Sequence, residues 1–237
     1  MRETGNKRIT EQELSIRIYS DGFSFSAPQG SKELKVKAGE TLSQAFQAAY
    51  PELALFRVDY EEVSIMADYP STRIPLDEFR SEEARALYKL TFGADSLQGM
   101  NIHYEMLPAL EVIEVFALDA ELENLIFQYY PHASIHSYFG QLMNRMQSRD
   151  KRDRGNNRRL YVHCNARQLF LFSYEGGHLQ YANSFEAPSL NNQLYFLLYA
   201  WKQLGFHQEE DSCVLIGKNR ELESALQRYL PHITVLP

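Results

Sequence analysis

The chain has 237 residues, enough for one large domain or two small ones, and 44% of them are apolar. Residues 1–150 carry 14 Lys and Arg against 23 Asp and Glu, whereas residues 151–237 carry 10 against 8. An acidic body argues against general affinity for nucleic acid. Two isolated cysteines and no apolar leader predict a reduced, cytoplasmic protein. The longest apolar run, Leu194–Trp201, is too short to span a membrane.

The first predicted elements alternate between apolar and polar residues, as strands buried on one face do. Leu14–Tyr19 and Phe23–Ser26 show this alternation, and the Asp21-Gly22 pair between them predicts a tight hairpin turn. A third strand at Leu34–Lys37 and a helix capped near Thr41 follow. The first predicted part of the chain is therefore three strands and a helix.

Residues 113–137 match residues 213–237 without a gap, at an offset of one hundred. Identical positions include Glu121 and Glu221, Leu122 and Leu222, Glu123 and Glu223, Tyr129 and Tyr229, Pro131 and Pro231, and His132 and His232. Each copy is predicted to form a strand, a helix and a short strand. This pattern predicts an internal duplication.

The second half of the chain, residues 160–237, reads strand, strand, strand, helix, strand, helix, strand. The first half, residues 12–148, shows the same order if residues 52–107 are an insertion between its first helix and its fourth strand. That fourth strand is predicted to begin at Ile113. A basic segment, residues 149–159, is predicted to link the two halves because it contains no apolar residue.

Two tandem copies of this order resemble the actin-like ATPase fold, an α/β fold of two ribonuclease-H-like βββαβαβ halves. The chain is similar to a bacterial family within that group, domain of unknown function 3822. The similarity covers about residues 12–237 and is carried by Leu14–Phe25, by Asn183-Ser184-Phe185, by the helix around Tyr195 and by the two repeat units. More distant relatives by fold include pilus-assembly and secretion-platform proteins, in which such a module often acts as a docking piece.

The resemblance implies a place where ATP and Mg²⁺ could bind. Such a site requires carboxylates and glycines in the first hairpin turn of each half, and a glycine-rich turn after the fourth strand of the second half. The corresponding residues are Asp21, Gly22, Asn165 and Gly217. Asp21 and Gly22 are adjacent where the motif separates them, Asn165 is an amide where an acid is expected, and Gly217 stands alone. They are either ordinary turn residues or the remains of a nucleotide site.

Other combinations of reactive residues are weaker. His132 and His136 have a metal-ligand spacing only on a helix, and the repeat places them near a strand, where they are expected to cap or pack. His163 and Cys164 are neighbours on a strand and should point to opposite faces. The sequence contains no GxSxG, Walker A or HExxH motif. We therefore expect no catalytic residue, no metal site and no bound cofactor.

The basic segment contains Arg152, Arg154, Arg158 and Arg159, which could contact RNA or an acidic protein. It lacks the aromatic residues that stack on bases, so a solvated linker is the simpler interpretation. The leading hypothesis is a cytoplasmic, non-catalytic actin-like module, a pseudoenzyme that acts as a protein-interaction or scaffold piece. The alternatives are weak ATP binding or hydrolysis through Asp21, and association with RNA through the basic segment.

Overall fold

The computed structural model describes residues 13–51, 60–151, 158–165 and 167–236. The chain divides into two compact units. The first contains Met1–Met106 and Ile113–Gly140, and the second contains Leu107–Val112 and Gln141–Pro237.

The elements up to the middle of the chain are β1 (Glu13–Tyr19), β2 (Gly22–Ala27), β3 (Gly30–Lys35), α1 (Leu42–Ala49), β4 (Glu62–Ala67), β5 (Ser71–Pro75), α2 (Ala84–Phe92), β6 (Met100–Leu107), β7 (Val112–Asp119), α3 (Ala120–Tyr129), β8 (Ser134–Ser137) and α4 (Tyr138–Asp150). Short 3₁₀ turns lie before α2, between α2 and β6, and between β6 and β7.

The remaining elements are β9 (Arg159–Cys164), β10 (Gln168–Glu175), β11 (His178–Glu186), α5 (Leu190–Gln203), β12 (Ser212–Ile216), α6 (Arg220–Leu226) and β13 (Ile233–Leu236). This order agrees with the one predicted for the second half.

The two units contain five-stranded sheets of the same topology. The strand order is β3-β2-β1-β4-β8 in the first sheet and β11-β10-β9-β12-β13 in the second. In both, the first three strands form an antiparallel meander and the last two add in parallel. The α/β prediction with two ribonuclease-H-like sheets is confirmed.

The fourth strand of the first sheet is β4, and the prediction that it begins at Ile113 is wrong. β4 pairs with β1 and with β8, whereas β7 lies in a separate three-stranded sheet of order β5-β7-β6. The apolar run of β7 is buried on both faces. A run of this kind in the sequence predicts a buried strand, but it does not predict which strand lies beside it. The additional segment therefore lies between β4 and α3, at residues 68–119, of which Leu107–Val112 belong to the second unit. The range predicted for it, 52–107, includes residues 52–59, which lie outside the described part.

The repeat is matched by local structure in its helix and last strand. Asp119 Oδ1 accepts a hydrogen bond from the Leu122 N–H at 2.8 Å, and Asn219 Oδ1 accepts one from the Leu222 N–H at 3.1 Å. These are N-cap contacts at the start of α3 and α6. β8 and β13, which follow the two helices, each form the last strand of their sheet.

Each five-stranded sheet packs two helices against one of its faces. In the first unit, Phe46 of α1 lies 5.6 Å from Phe23, ring centre to ring centre, within a core that α3 completes. The start of α1 is closed by a capping box between Thr41 and Gln44, which agrees with the cap predicted near Thr41. In the second unit, Trp201 of α5 packs into the core that α6 completes.

Helix α4 crosses the boundary between the two units, because its first three residues belong to the first unit and the rest to the second. The boundary falls after Gly140, whereas the sequence predicts that the first half extends to residue 148. The reason is packing within the second unit: Tyr174 donates to the carbonyl of Met143, and Gln147 donates to the carbonyls of Gly177 and Ala109. Among the described residues, no helix has both the length and the apolar character needed to cross a membrane.

Candidate functional site

The turn between β1 and β2 contains Asp21 and Gly22. Tyr19 pairs with Gly22, so Ser20 and Asp21 form a two-residue turn, and the carbonyl of Asp21 accepts from the Val36 N–H at 3.0 Å. Asp21 is exposed. Gly22 does not have a positive φ, so the turn does not require a glycine for that reason. A Cβ at Gly22 would instead overlap the carbonyl oxygen of Leu34 on β3.

The corresponding turn of the second unit is held together by the Asn165 side chain. Its Oδ1 accepts from the N–H of Arg167 at 3.0 Å and from that of Gln168 at 2.7 Å. An asparagine in this arrangement forms an Asx turn that holds the backbone of the loop. Its amide oxygen is therefore already engaged by two donors. Ala166, the next residue, lies outside the described part.

Gly217 follows β12 in the left-handed region, at φ +87°, and its N–H donates to the carbonyl of Leu236. It borders a pocket of about 40 Å³ that is also lined by Val162, Cys164, Leu215, Ile216, Lys218, Asn219 and Leu222. Pockets that enclose small-molecule ligands measure about 300–1,000 Å³. This pocket is far smaller, and Gly217 acts here as the turn residue between β12 and α6.

His163 and Cys164 do not form a nucleophile and base pair. His163 is buried, and its Nδ1 donates to the carbonyl of Ile216 at 3.1 Å. Burial raises the pKa of Cys164 to about 12, so its thiol stays protonated at neutral pH. Asn219, which caps α6, also hydrogen-bonds Cys164.

Two of the four arginines named as interaction candidates, Arg158 and Arg159, are described and have internal partners. Arg158 donates to the carbonyls of Gly205 and Leu204 at the end of α5. Arg159 pairs with Asp150 at 3.3 Å, and the same carboxylate accepts from the Tyr161 hydroxyl. These contacts anchor the two ends of the segment within the second unit. Arg152 and Arg154 lie outside the described residues.

His132 precedes β8, whereas His136 lies in it. His136 contacts Glu105 of β6 and Ser134 of its own strand. Within the described ranges, no group of three or more His, Cys, Asp and Glu side chains is arranged to hold a metal ion. The expectation that His136 packs against neighbouring groups did not foresee a carboxylate partner from β6, because the two are 31 residues apart in sequence.

Two large aromatic side chains are exposed side by side on α5. Tyr195 is 62% exposed and Tyr199 is 51% exposed, and their rings stack at 6.0 Å between centres. They are four residues apart and lie outside the apolar stripe that packs α5 on its sheet, so the helical period alone could have identified them. The first unit also has exposed apolar side chains: Leu90, Tyr104 and Met106.

The comparisons with known proteins agree on the family and the fold. The model of the family described as "Protein of unknown function (DUF3822)" matches residues 3–233. No curated protein matches the chain. A Bacteroides thetaiotaomicron VPI-5482 protein with an actin-like ATPase fold and unknown function is 27% identical, with a TM-score of 0.85, over 96% of this chain and 91% of that one. A chain of a PilM–PilN type IV pilus biogenesis complex is 11% identical, with a TM-score of 0.58, over 96% of this chain and 88% of that one.

Proposed function

The chain belongs to the DUF3822 family and has the actin-like ATPase fold, and we propose that it is a cytoplasmic protein-interaction module that does not depend on nucleotide hydrolysis. Its role is to hold a partner protein. The partner contacts α5 of the second unit.

The observation that carries this proposal is the Tyr195–Tyr199 pair. Stacked tyrosines that face solvent combine a large apolar surface with hydroxyl groups that form hydrogen bonds. Tyrosine is enriched among the few residues that supply most of the binding energy in protein interfaces. Neither residue is needed to fill the core of its own unit, because that part is taken by Leu197, Ala200 and Trp201.

The turns that would bind a nucleotide support the same proposal. Asn165 uses its amide oxygen to hold its own loop, and Gly217 borders a pocket of only about 40 Å³. Asp21 is the one carboxylate predicted for this role, and it lies on an exposed turn. A single exposed carboxylate is a weak ligand for a hydrated Mg²⁺ ion.

The structural relatives point in the same direction. One protein with the same fold occurs in a PilM–PilN complex. By analogy, an actin-like module can serve as the docking piece of an assembly. This analogy concerns the fold, and the α5 surface is the part of the proposal that belongs to this chain.

The test is quantitative capture of a partner by the full chain. The wild type, a Tyr195→Ala/Tyr199→Ala double variant and a Tyr229→Ala control are immobilised and exposed to extract of the native cell. Tyr229 is the matched control because it is 48% exposed in the same unit. We expect a protein that the wild type and the control retain and the double variant loses. Equal retention by the wild type and both variants would contradict the role of α5.

The ATP alternative has its own measurement. A ligand that binds the folded state at one hundred times its Kd adds about 2.7 kcal/mol of stability, which raises Tm by several degrees. We expect no such rise with Mg²⁺ and ATP. A rise that disappears in Asp21→Ala would show that the site at the β1–β2 turn still binds nucleotide, and the nucleotide-independent part of the proposal would be wrong.

A further inference from the structure

A serine, a histidine and a glutamate of the first unit form a continuous hydrogen-bonded chain. His136 Nδ1 lies 2.7 Å from Glu105 Oε1, and His136 Nε2 lies 3.0 Å from Ser134 Oγ. Ser134 and His136 are two residues apart on β8, so both side chains are on the same face of the sheet. Glu105 reaches them from β6.

The protons of this chain can be assigned from the chemistry of the three groups. A carboxylate only accepts hydrogen bonds, so Nδ1 of His136 carries the proton that is donated to Glu105. In the neutral ring, Nε2 is then an acceptor. The Ser134 hydroxyl lies 3.0 Å from Nε2 and 3.5 Å from the carbonyl of Val63, so Nε2 is its nearer acceptor. The second oxygen of Glu105 accepts from the Ser137 N–H at 3.0 Å, which fixes the carboxylate. The carboxylate thus selects both the tautomer and the orientation of the ring.

The site is partly open to solvent. The His136 side chain is 31% exposed, while that of Glu105 is 12% exposed. The hydrogen bond to Glu105 raises the pKa of His136, and the Glu62 and Glu13 carboxylates of β4 and β1 raise it further, whereas partial burial lowers it. Above that pKa the ring is neutral and can accept a proton from Ser134.

The backbone N–H that follows the serine is the group that could donate to a developing oxyanion. β8 is the last strand of its sheet, and the Ser137 N–H points away from β4 to Glu105. Because backbone groups alternate along a strand, the N–H of Ile135 points to the same outer edge. Ile135 follows Ser134 directly, which is the position from which one oxyanion donor comes in many serine hydrolases.

We propose that Ser134, His136 and Glu105 form a nucleophilic triad that accepts acyl groups from activated esters or thioesters of carboxylic acids. Ser134 Oγ forms the new bond to the acyl carbon, and the bond from that carbon to the alcohol oxygen or thiol sulfur breaks. His136 Nε2 takes the hydroxyl proton and returns it to the leaving group. Water releases the acyl group from Ser134 by the reverse use of His136. This activity goes beyond the proposed partner-binding function and does not rest on it.

The chain contains two internal comparisons. In the second unit, Thr234 and Leu236 stand at the positions that correspond to Ser134 and His136, so β13 has no base beside its hydroxyl. In the first unit, His103 Nε2 lies 2.9 Å from Glu123 Oε2 and so forms a histidine–carboxylate pair, with Asn101 as the other donor to that carboxylate. Of these three places, only the one at Ser134 links a hydroxyl, an imidazole and a carboxylate through hydrogen bonds.

The experiment is covalent labelling of the full chain with an alkyl fluorophosphonate, followed by mass spectrometry of the digested protein. In this reaction Ser134 Oγ bonds to phosphorus, fluoride leaves, and the proton passes to His136. We expect the label on Ser134, at a rate that rises with pH through the pKa of His136. The variants are Ser134→Ala, His136→Gln and Glu105→Gln. Ser15→Ala is the matched control, since Ser15 lies on the same face of the sheet two strands away.

Ser134→Ala should abolish the label and Ser15→Ala should leave it unchanged. His136→Gln should slow labelling by about a hundredfold or more, the usual contribution of a general base. Glu105→Gln should slow it by at least about tenfold, because a carboxamide can impose the wrong tautomer. No label on the wild-type Ser134 would overturn the proposal, as would a rate that does not change with pH. The wild-type pH profile decides the matter even if a variant fails to fold.

Discussion

The guanidinium of Arg73 and the carboxylate of Glu114 form a two-point ion pair in the interior of the first unit. Nε lies 2.8 Å from Oε2, and Nη2 donates to Oε1 at 3.0 Å. The Glu114 side chain is 0% exposed and that of Arg73 is 10% exposed. Burial raises the pKa of Glu114, while the charge of Arg73 lowers it. This pair connects β5 and β7, two strands of the additional segment. The sequence did not predict that they lie in a separate sheet.

Replacing Arg73 by methionine should destabilise the protein strongly. It removes the partner of a carboxylate that has no access to water, and breaking such a pair costs about 3–5 kcal/mol. Urea unfolding measures this loss. The control is Arg167→Met, which breaks the Arg167–Glu186 pair, whose side chains are 64% and 71% exposed. That control should change stability by less than about 1 kcal/mol; an equal loss in both variants would contradict the importance of burial.

The cost of Arg73→Met should depend on pH. Without the arginine, the strongest influence that lowers the pKa of Glu114 is gone, and burial holds that pKa further above the value in the unfolded chain. A raised carboxyl pKa contributes stability at low pH, and this contribution is lost as the pH rises. The difference in the free energy of unfolding between wild type and variant should therefore grow from about pH 4 to about pH 7. Melting curves across that range measure it, and a constant difference would mean that Glu114 does not titrate.

His136 should stabilise the first unit most at low pH. Its folded pKa is raised by Glu105 above the unfolded value of about 6.5. The stabilisation is fully present below about pH 6.5 and is lost as the pH rises through the folded pKa. We expect the Tm difference between wild type and His136→Gln to be larger at about pH 6 than at about pH 9.

Gly22→Ala should weaken the pairing of β2 with β3. The new methyl group would overlap the carbonyl oxygen of Leu34, which belongs to the backbone of β3 and cannot rotate away. Overpacking of this kind costs about 1–3 kcal/mol. Urea unfolding measures the loss, and Ser26→Ala, an exposed position of the same strand, is the control. A Gly22→Ala variant as stable as the wild type would show that β3 can move aside.

The two repeated helices should depend on their first residues to a similar degree. Asp119→Ala and Asn219→Ala each remove an acceptor for a backbone N–H, at a cost of about 0.5–2 kcal/mol. Asp119→Ala should lose somewhat more stability than Asn219→Ala, because a negative charge at a helix start also interacts favourably with the helix dipole. Unfolding experiments on both single variants check this. If one replacement lowered the free energy of unfolding and the other raised it, the two caps would not be equivalent.

The residues of the predicted site could be located in sequence but not assigned a role. The Asp-Gly pair correctly predicted a turn at Asp21, yet the close approach of Leu34 that explains Gly22 depends on a third strand. Arg158 and Arg159 looked available as a charge cluster, and their partners at the end of α5 and on α4 became visible only in the folded chain. Contact with a nucleotide stays a prediction for four residues: Asp21, Gly22, Asn165 and Gly217.

The sequence by itself determined the order of the elements in the second half, the helix start near Thr41, and the family. These features depend on spacing over a few residues, where alternation, helical period and capping operate. Only the tertiary structure decided that β4 rather than β7 completes the first sheet, and that Glu105 meets His136. Both depend on which strands become neighbours, and an apolar run pairs equally well with any strand that buries it.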